Sequence, residues 1–269
     1  MKKMIKKQLK KYAPLWFLEE PGKIYGWDKK QLIKLKNKWK GEKCIIIGNG
    51  PSLNKIDFNI LKGKFTFGVN GIFYKSDEIK DFKPYFYVVE DTAVMLDNAK
   101  RINEYECEYK FFPSIYKKHL INRKNTLFFN LNRGFYDSRS EFHEFPRFSP
   151  DISKRIYAGQ SVTMVNLQLA YYFGFQEVYL IGMDFEYNQV GSEIIEGHRL
   201  ISQEDDINHF HPDYFGKGKV WHDPKLHNVL KSYKLIKSIY EINGRKIYNS
   251  TVGGKLEIFE RKELSDAFN

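Results

Sequence analysis

Short apolar runs alternate with amphipathic stretches along most of this chain. Seven segments have the length and composition of buried strands: 44–47, 65–69, 85–89, 108–112, 126–129, 178–181 and 246–249. Four others have apolar residues at helical spacing: 28–40, 52–61, 161–173 and 223–242. Because strands and helices alternate, the pattern predicts one α/β domain with a Rossmann-like, mostly parallel sheet flanked by helices.

Two longer segments lack this regularity. Residues 131–158 are polar and aromatic, and we predict an irregular excursion there. Residues 186–222 have little apolar periodicity and predict a lid-like loop insertion. Gly253 and Gly254 are expected to end the fold. The predicted organisation is a basic helical extension over residues 1–42, followed by one domain over residues 43–269.

A glycine turn follows the first predicted strand. Gly48-Asn49-Gly50 comes directly before Pro51, which suits the first position of a helix. Such a turn can direct backbone N–H groups towards a phosphate at the helix N-terminus. It is equally typical of any strand-to-helix turn in an α/β protein. The full dinucleotide fingerprint is absent because Leu53 replaces its last glycine, and the chain has no P-loop sequence.

Small or polar residues follow four of the predicted strands. They are Gly48 to Gly50, Asn70, Glu90 with Asp91, and Gly182 to Phe185. In an open parallel sheet, ligands bind beyond the carboxyl ends of the strands. The four strand ends therefore predict one crevice.

The net charge of +11 is concentrated at the N-terminus. Residues 1–43 contain 14 lysines, no arginine and four acidic residues, whereas the rest of the chain carries only +1. Apolar residues from Met4 to Trp16 recur at helical spacing between the lysines. This pattern is typical of a helix on an anionic membrane surface, or of a solvated helix that packs on its own domain. The segment lacks arginine and an RNA-binding signature, which makes a nucleic-acid partner the less favoured interpretation.

The remaining composition indicates the compartment. No apolar run approaches 18 residues, and no signal-peptide core precedes the domain. Cys44 and Cys107 do not form a disulfide framework. We expect a cytoplasmic protein that associates peripherally with the inner membrane face.

Several of these motifs together resemble a known family. Ile47 to Leu53, Asn70 with Phe73-Tyr74, and Tyr179 to Phe185 after Gly174-Phe175 are similar to the bacterial CMP-sialate-dependent sialyltransferases. The same elements resemble the motility accessory factor proteins, which are linked to nonulosonic-acid glycosylation, and an archaeal-type 6-hydroxymethylpterin pyrophosphokinase group. The resemblance covers roughly residues 43–255 and excludes residues 1–42.

The resemblance implies a nucleotide-sugar pocket. Its nucleotide-binding residues would be Gly48, Asn49, Gly50, Ser52, Asn70, Gln160, Ser161, Gly182 and Asp184. Asp184 has a second interpretation, a strand-end carboxylate that caps a neighbouring loop. Lid tyrosines hold the leaving phosphate in the family, and Tyr187 and Tyr214 would do so here. This chain departs from the family pattern directly after Asp184-Phe185, where Glu186 comes first and Tyr187 follows one place later.

The resemblance also implies a histidine base. His222, directly before Asp223-Pro224, occupies the corresponding place and would take the proton from an acceptor hydroxyl. His209 and His211 are rivals in the same segment. These two histidines are two positions apart, but no cysteine and no His-Glu-x-x-His pattern accompanies them, so the sequence does not indicate a metal site.

Three functions remain open from the sequence. The first is a glycosyltransferase without a cofactor, which moves a sugar, such as a nonulosonic acid from a CMP donor, onto a glycan or protein acceptor. The second is Mg²⁺-dependent transfer of pyrophosphate from ATP to a pterin-like alcohol, with Glu90, Asp91 and Asp184 as metal ligands. The third is a non-enzymatic, nucleotide-binding, membrane-associated protein.

Overall fold

A computed structural model describes residues 13–121, 124–188, 191–196 and 199–268. Its strands are β1 (Lys43–Ile47), β2 (Phe65–Val69), β3 (Phe86–Val88), β4 (Tyr109–Pro113), β5 (Thr126–Phe129), β6 (Leu131–Asn132), β7 (Ile156–Tyr157), β8 (Glu177–Ile181), β9 (Ser192–Glu196), β10 (Arg199–Ser202), β11 (Val220–His222), β12 (Lys246–Asn249) and β13 (Glu260–Arg261). Its α-helices are α1 (Leu15–Glu19), α2 (Trp27–Lys34), α3 (Phe73–Glu78), α4 (Thr92–Asp97), α5 (Ala99–Glu104), α6 (Val162–Phe173), α7 (Leu226–Ile242) and α8 (Leu264–Ala267). Short 3₁₀-helices cover Pro51–Lys55, Phe58–Leu61, Ser114–His119 and Gly134–Tyr136.

A parallel sheet of eight strands forms the centre of the molecule. Its order is β13-β12-β8-β1-β2-β3-β4-β5, and each pairing between these strands is parallel. The chain proceeds outward from β1 to β5 and then returns to the other side of β1 with β8. The strand order therefore reverses between β1 and β8. The predicted mostly parallel α/β fold is confirmed.

The first strand and α6 lie in the core. Ile45, Ile46 and Ile47 are fully buried, as expected for a parallel strand covered on both faces. Helix α6 begins after Ser161, whose hydroxyl accepts the Thr163 N–H, and ends at Gly174 with φ 95°. Both ends were expected from the sequence.

Residues 24–41 pack into the same core. Leu32 and Trp39 are buried, and the Trp39 N–H donates to the Phe173 carbonyl at 2.9 Å. Residues on both sides of the predicted boundary at residue 42 therefore pack in the same core. The apolar residues from Met4 to Tyr12 lie outside the described part of the chain.

Several predicted element boundaries are wrong. The helix expected over 52–61 is two 3₁₀-helices, because Asp57 accepts the Asn59 N–H and starts a second turn. The helix expected over 28–40 ends at Lys34 and continues as turns. The last long helix begins at Leu226, since Lys225 adopts a left-handed conformation with φ 42°.

The chain also has more order near its C-terminus than predicted. The lid expected to be a loop contains the antiparallel sheet β11-β10-β9, in which buried Leu200 pairs with buried Trp221. The apolar residues of these short strands are adjacent pairs rather than alternating positions, so the sequence shows no strand period. The fold also continues past Gly254 into β13 and α8. Among the described residues, no helix is both long and apolar enough to cross a membrane.

Candidate functional site

One cleft opens at the carboxyl ends of the central strands, at the reversal between β1 and β8. This is where open α/β sheets bind ligands. The residues singled out in the sequence that line it are Gly48, Asn49, Gly50, Asn70, Glu90, Asp91, Gln160, Ser161, Gly182, Asp184, Tyr187, His209, Tyr214 and His222. Ser52 and His211 are not among the lining residues. The placement is observed, whereas the role of each residue stays a prediction.

Asp184 joins the loops that follow β1 and β8. Its carboxylate accepts the Ser52 N–H at 3.1 Å and the Ser52 hydroxyl at 2.7 Å. It also lies over Gly50, where an added Cβ would be 1.8 Å from Asp184 Oδ2. Position 50 is therefore restricted to glycine by this carboxylate. The geometry matches the loop-capping interpretation of Asp184.

The backbone N–H groups of the glycine turn already have acceptors. Gly48 donates to the Ile181 carbonyl at 2.8 Å, and Gly50 donates to the Gly182 carbonyl at 2.9 Å. The 3₁₀-helix that follows is only five residues long. These glycines let two loops approach each other, and their N–H groups are not available to a phosphate.

Two longer helices direct their N-termini at the cleft instead. Gln160 to Thr163 at the start of α6, and Pro224 with Leu226 at the start of α7, line it. These helices have 12 and 17 residues. The partial positive charge of a helix N-terminus favours an anion. The cleft thus has two places suited to phosphate or carboxylate.

Backbone conformation marks the same region. Asn70, Gln160 and Phe185 line the cleft and have positive φ values of 46°, 71° and 55°. Left-handed conformations cost energy for residues other than glycine and are concentrated at functional sites. No residue pattern predicts this strain at Gln160 or Phe185, because neither residue type favours a left-handed conformation.

The lid brings a carboxylate against a histidine. Asp206 Oδ2 lies 2.7 Å from His209 Nδ1, and the two side chains are 3% and 9% exposed. Burial acts to raise the pKa of Asp206, but hydrogen bonds from His209 and from two backbone N–H groups hold it below its ordinary 3.8. The His209 ring stacks on Tyr214, with centroids 4.1 Å apart and planes at 2°. Sequence reasoning missed Asp206, whose only signal was its position three residues before a histidine.

The other two lid histidines are held differently. His222 ends β11, where it pairs with Arg199 of β10, and its side chain is exposed. His211 stacks on Tyr74 at 4.5 Å, and its Nδ1 accepts the Asp213 N–H at 3.1 Å. His211 therefore belongs to the packing of the lid on α3.

Two buried polar atoms of cleft residues have no partner. Asn49 donates its side-chain N–H groups to the Val69 carbonyl and the Tyr214 hydroxyl at 3.2 and 2.9 Å, but its Oδ1 has no hydrogen bond within the described residues. The Trp221 Nε1–H is likewise unpaired there. Buried polar groups normally have partners. Both atoms are enclosed by protein atoms, in residues that line the cleft.

Comparison with known proteins identifies the family. The family described as 6-hydroxymethylpterin diphosphokinase MptE-like matches residues 22–190. The chain belongs to this family. The match confirms one of the resemblances stated from the sequence, and it ends before Asp206, His209 and His222. Comparison with curated proteins finds no match.

Sialyltransferases of Campylobacter jejuni are among the solved structures that match this MptE-like chain. The monofunctional alpha-2,3-sialyltransferase Cst-I is 18% identical, with a TM-score of 0.42, over 78% of this chain and 75% of that one. CstII in complex with the substrate analogue CMP-3FNeuAc is 16% identical, with a TM-score of 0.39, over 77% and 80%. CST-II with a trisaccharide acceptor and CMP is 17% identical, with a TM-score of 0.38, over the same shares.

The cleft of this MptE-like protein is acidic. Five carboxylates line it and no lysine or arginine does so among the described residues: Glu90, Asp91, Asp184, Glu186 and Asp223. Burial raises the pKa of Glu90 to about 7, although Arg133 opposes the rise. The described residues contain no group of three or more His, Cys, Asp or Glu side chains that could hold a metal ion. Glu90, Asp91 and Asp184 all line the cleft, and their role as magnesium ligands stays a prediction.

Proposed function

We propose that this protein is a glycosyltransferase, which moves a sugar from a nucleotide-activated donor to a hydroxyl group of a glycan or glycoconjugate. The observation that carries the proposal is an imidazole oriented by a carboxylate in the same cleft as two helix N-termini. Glycosyl transfer needs a group that removes the proton of the acceptor hydroxyl and a group that stabilises the departing phosphate. The cleft offers both.

The base in this proposal is His209. Its Nδ1 donates to Asp206, which leaves Nε2 to accept a proton from the acceptor hydroxyl as that oxygen attacks the anomeric carbon. The charge of Asp206 then stabilises the imidazolium, and stacking on Tyr214 keeps the ring in one orientation. His222 is the alternative base, because it lines the cleft and the sequence resemblance assigns the role to it.

The leaving phosphate is assigned to the first turns of α6 and α7. The Ser161 hydroxyl caps the Thr163 N–H, and the first turn of α6 lines the cleft, where its helix N-terminus would receive an anion. Tyr187 lines the same cleft and can add an O–H donor. Tyr214 lines the cleft as well, and its hydroxyl accepts hydrogen bonds from Asn49 and the Gly71 N–H, which leaves its own O–H to act as a second donor to the phosphate.

The donor is proposed to be a CMP-linked nonulosonic acid such as sialate. This choice rests on the sequence motifs around Gly48 and Asp184 that resemble the CMP-sialate-dependent sialyltransferases. The unpaired Asn49 Oδ1 suits an N–H or O–H donor of such a nucleotide.

Thermal unfolding in the presence of CMP, CDP, UDP, GDP or ATP, each with and without Mg²⁺, tests this proposal. A ligand at a hundredfold excess over Kd stabilises the folded state by about 2.7 kcal/mol. We expect CMP to raise Tm by about 5–10 °C without metal. A response to Mg-ATP alone would overturn the glycosyltransferase proposal.

A second candidate is Mg²⁺-dependent transfer of diphosphate from ATP to a pterin-like alcohol. It is favoured by the family match and by the acidic cleft, since Mg²⁺ is held by one or two carboxylates together with substrate phosphates. Glu90 and Asp91 would hold the ion, because Ser52 already occupies both oxygens of Asp184. Bound Mg²⁺ would neutralise phosphate charge during the transfer. Stabilisation by Mg-ATP that disappears in Glu90→Gln is the expected sign of this function.

A further inference from the structure

A group of aromatic side chains near the N-terminus faces solvent. Trp16, Phe17, Tyr25 and Trp27 are 64%, 47%, 69% and 41% exposed, and we call them the aromatic patch. Of the fifteen large apolar side chains exposed among the described residues, five lie between Trp16 and Ile33. The Trp16 and Phe17 rings are in contact, with centres 6.0 Å apart, and adjoining exposed apolar side chains are typical of an interaction surface.

The backbone that carries the aromatic patch is fixed to the domain. The Arg133 N–H donates to the Glu19 carbonyl at 2.6 Å, and the Ile24 N–H donates to Asn130 Oδ1 at 2.7 Å. The buried Asp28 carboxylate pairs with Lys117 at 2.6 Å. The patch is thus presented outward on an anchored segment.

Lysines accompany the aromatic patch along the chain. The Lys23 ammonium lies 5.6 Å from the centre of the Trp16 ring. Lys29 and Lys30 are exposed on the same helix as Trp27. The sequence adds six lysines and no acidic residue over positions 1–12. The surface therefore combines positive charge with amphipathic rings.

We propose that this surface docks the protein on an anionic lipid bilayer. Tryptophan and tyrosine favour the headgroup region of a membrane, where their apolar part leaves water and their polar atoms stay hydrated. Each lysine near an anionic leaflet contributes about 1 kcal/mol. A nucleic acid fits less well, because residues 1–43 contain no arginine and phosphates would leave most of the apolar surface in water.

The segment that carries the patch is joined to the domain at Arg133, whose N–H donates to the Glu19 carbonyl. The docking itself does not depend on which reaction occurs in the cleft.

Vesicle co-sedimentation of the full chain tests the docking. We expect binding to vesicles of 70% phosphatidylcholine and 30% phosphatidylglycerol, and little binding to phosphatidylcholine alone. Trp16→Ala/Phe17→Ala should lower the partition coefficient at least about tenfold, because the apolar contact is removed. Lys29→Gln/Lys30→Gln should lower it about 25-fold, which is about fivefold for each charge of 1 kcal/mol.

Matched controls separate the surface from general effects. Leu96→Ala/Ile242→Ala removes exposed apolar side chains elsewhere, and Lys62→Gln/Lys80→Gln removes exposed charges elsewhere; neither should change binding. The proposal is overturned if Trp16→Ala/Phe17→Ala binds like the unmodified chain while remaining folded by circular dichroism. It is equally overturned if the chain ignores anionic vesicles, or binds duplex DNA and not vesicles.

Discussion

Replacing Glu90 with glutamine is expected to stabilise this protein above neutral pH and to leave its stability at pH 4 unchanged. Glu90 follows β3 in the cleft, where burial raises the pKa of its carboxyl from the ordinary 4.5 to about 7. Arg133 and a hydrogen bond from Tyr136 oppose the rise, and the neighbouring Asp91 charge adds to it. The effect of burial on the Glu90 pKa exceeds that of the Arg133 guanidinium, so the folded protein favours the protonated form of the Glu90 carboxyl.

The sign and size of the effect follow from linkage between protonation and folding. Below pH 4.5, Glu90 is protonated in both the folded and the unfolded states, so its contribution does not depend on pH. Between pH 4.5 and 7, the unfolded chain releases the proton while the folded protein retains it, and the free energy of unfolding falls. A pKa difference of one is worth about 1.4 kcal/mol, so the loss approaches about 3 kcal/mol by pH 8. Glutamine does not ionise and avoids this loss.

Thermal unfolding between pH 4 and pH 8.5 at constant ionic strength measures the effect. For a chain of this size, about 3 kcal/mol corresponds to a Tm difference of about 6–12 °C at pH 8. Glu104→Gln, an exposed position on α5, is the control and should show no such pH-dependent gain. An equal Tm difference between Glu90→Gln and the unmodified chain at every pH would refute the reasoning.

Two further sets of substitutions test the lid and the loop contact. His209→Ala should lower turnover about 10²- to 10⁴-fold, while stabilisation by CMP remains. His211→Ala, outside the cleft, should leave turnover unchanged. A large loss of turnover in His222→Ala alone would transfer the role of base to His222. Gly50→Ala should destabilise the protein by about 1–3 kcal/mol, because the new Cβ would meet Asp184 Oδ2 at 1.8 Å. The double variant with Asp184→Ala should cost less than the sum of the two single variants, and strictly additive losses in urea unfolding would contradict a direct contact.

The sequence predicted the sheet well, because its central strands are buried on both faces. Such strands are continuous apolar runs, and 44–47 and 178–181 are each bounded by polar or glycine residues. The helix ends at Ser161 and Gly174 were also visible, since capping chemistry is local. The β9–β11 sheet was missed because its strands are short and their apolar residues are adjacent pairs, and because cross-strand pairs such as Leu200 with Trp221 leave no period in the sequence.

The candidate site was predictable as a location and less so as a set of contacts. Residues that follow parallel strands must meet at one sheet edge, so the lining by Asn70, Glu90 and Asp184 follows from topology. Whether a backbone N–H group is free to bind a ligand depends on which acceptors the fold places within hydrogen-bond distance. The Ser52 N–H is an example, because it donates to Asp184. The contact between Asp206 and His209 depends on the fold of the lid, for which no sequence pattern was available.

Asn49 contacts the lid and also lines the cleft in which a ligand is proposed to bind. The Asn49 carbonyl accepts the Phe210 N–H at 2.9 Å, and its side-chain N–H groups bind Tyr214 and the Val69 carbonyl, so the lid is held against the first loop. These contacts fix the amide plane and leave Oδ1 buried without a partner among the described residues. An unpaired buried acceptor costs about 1–3 kcal/mol. The contacts that hold the lid against the first loop are therefore made at the cost of one unpaired acceptor, which indicates that the lid contacts together stabilise the fold by more than this amount.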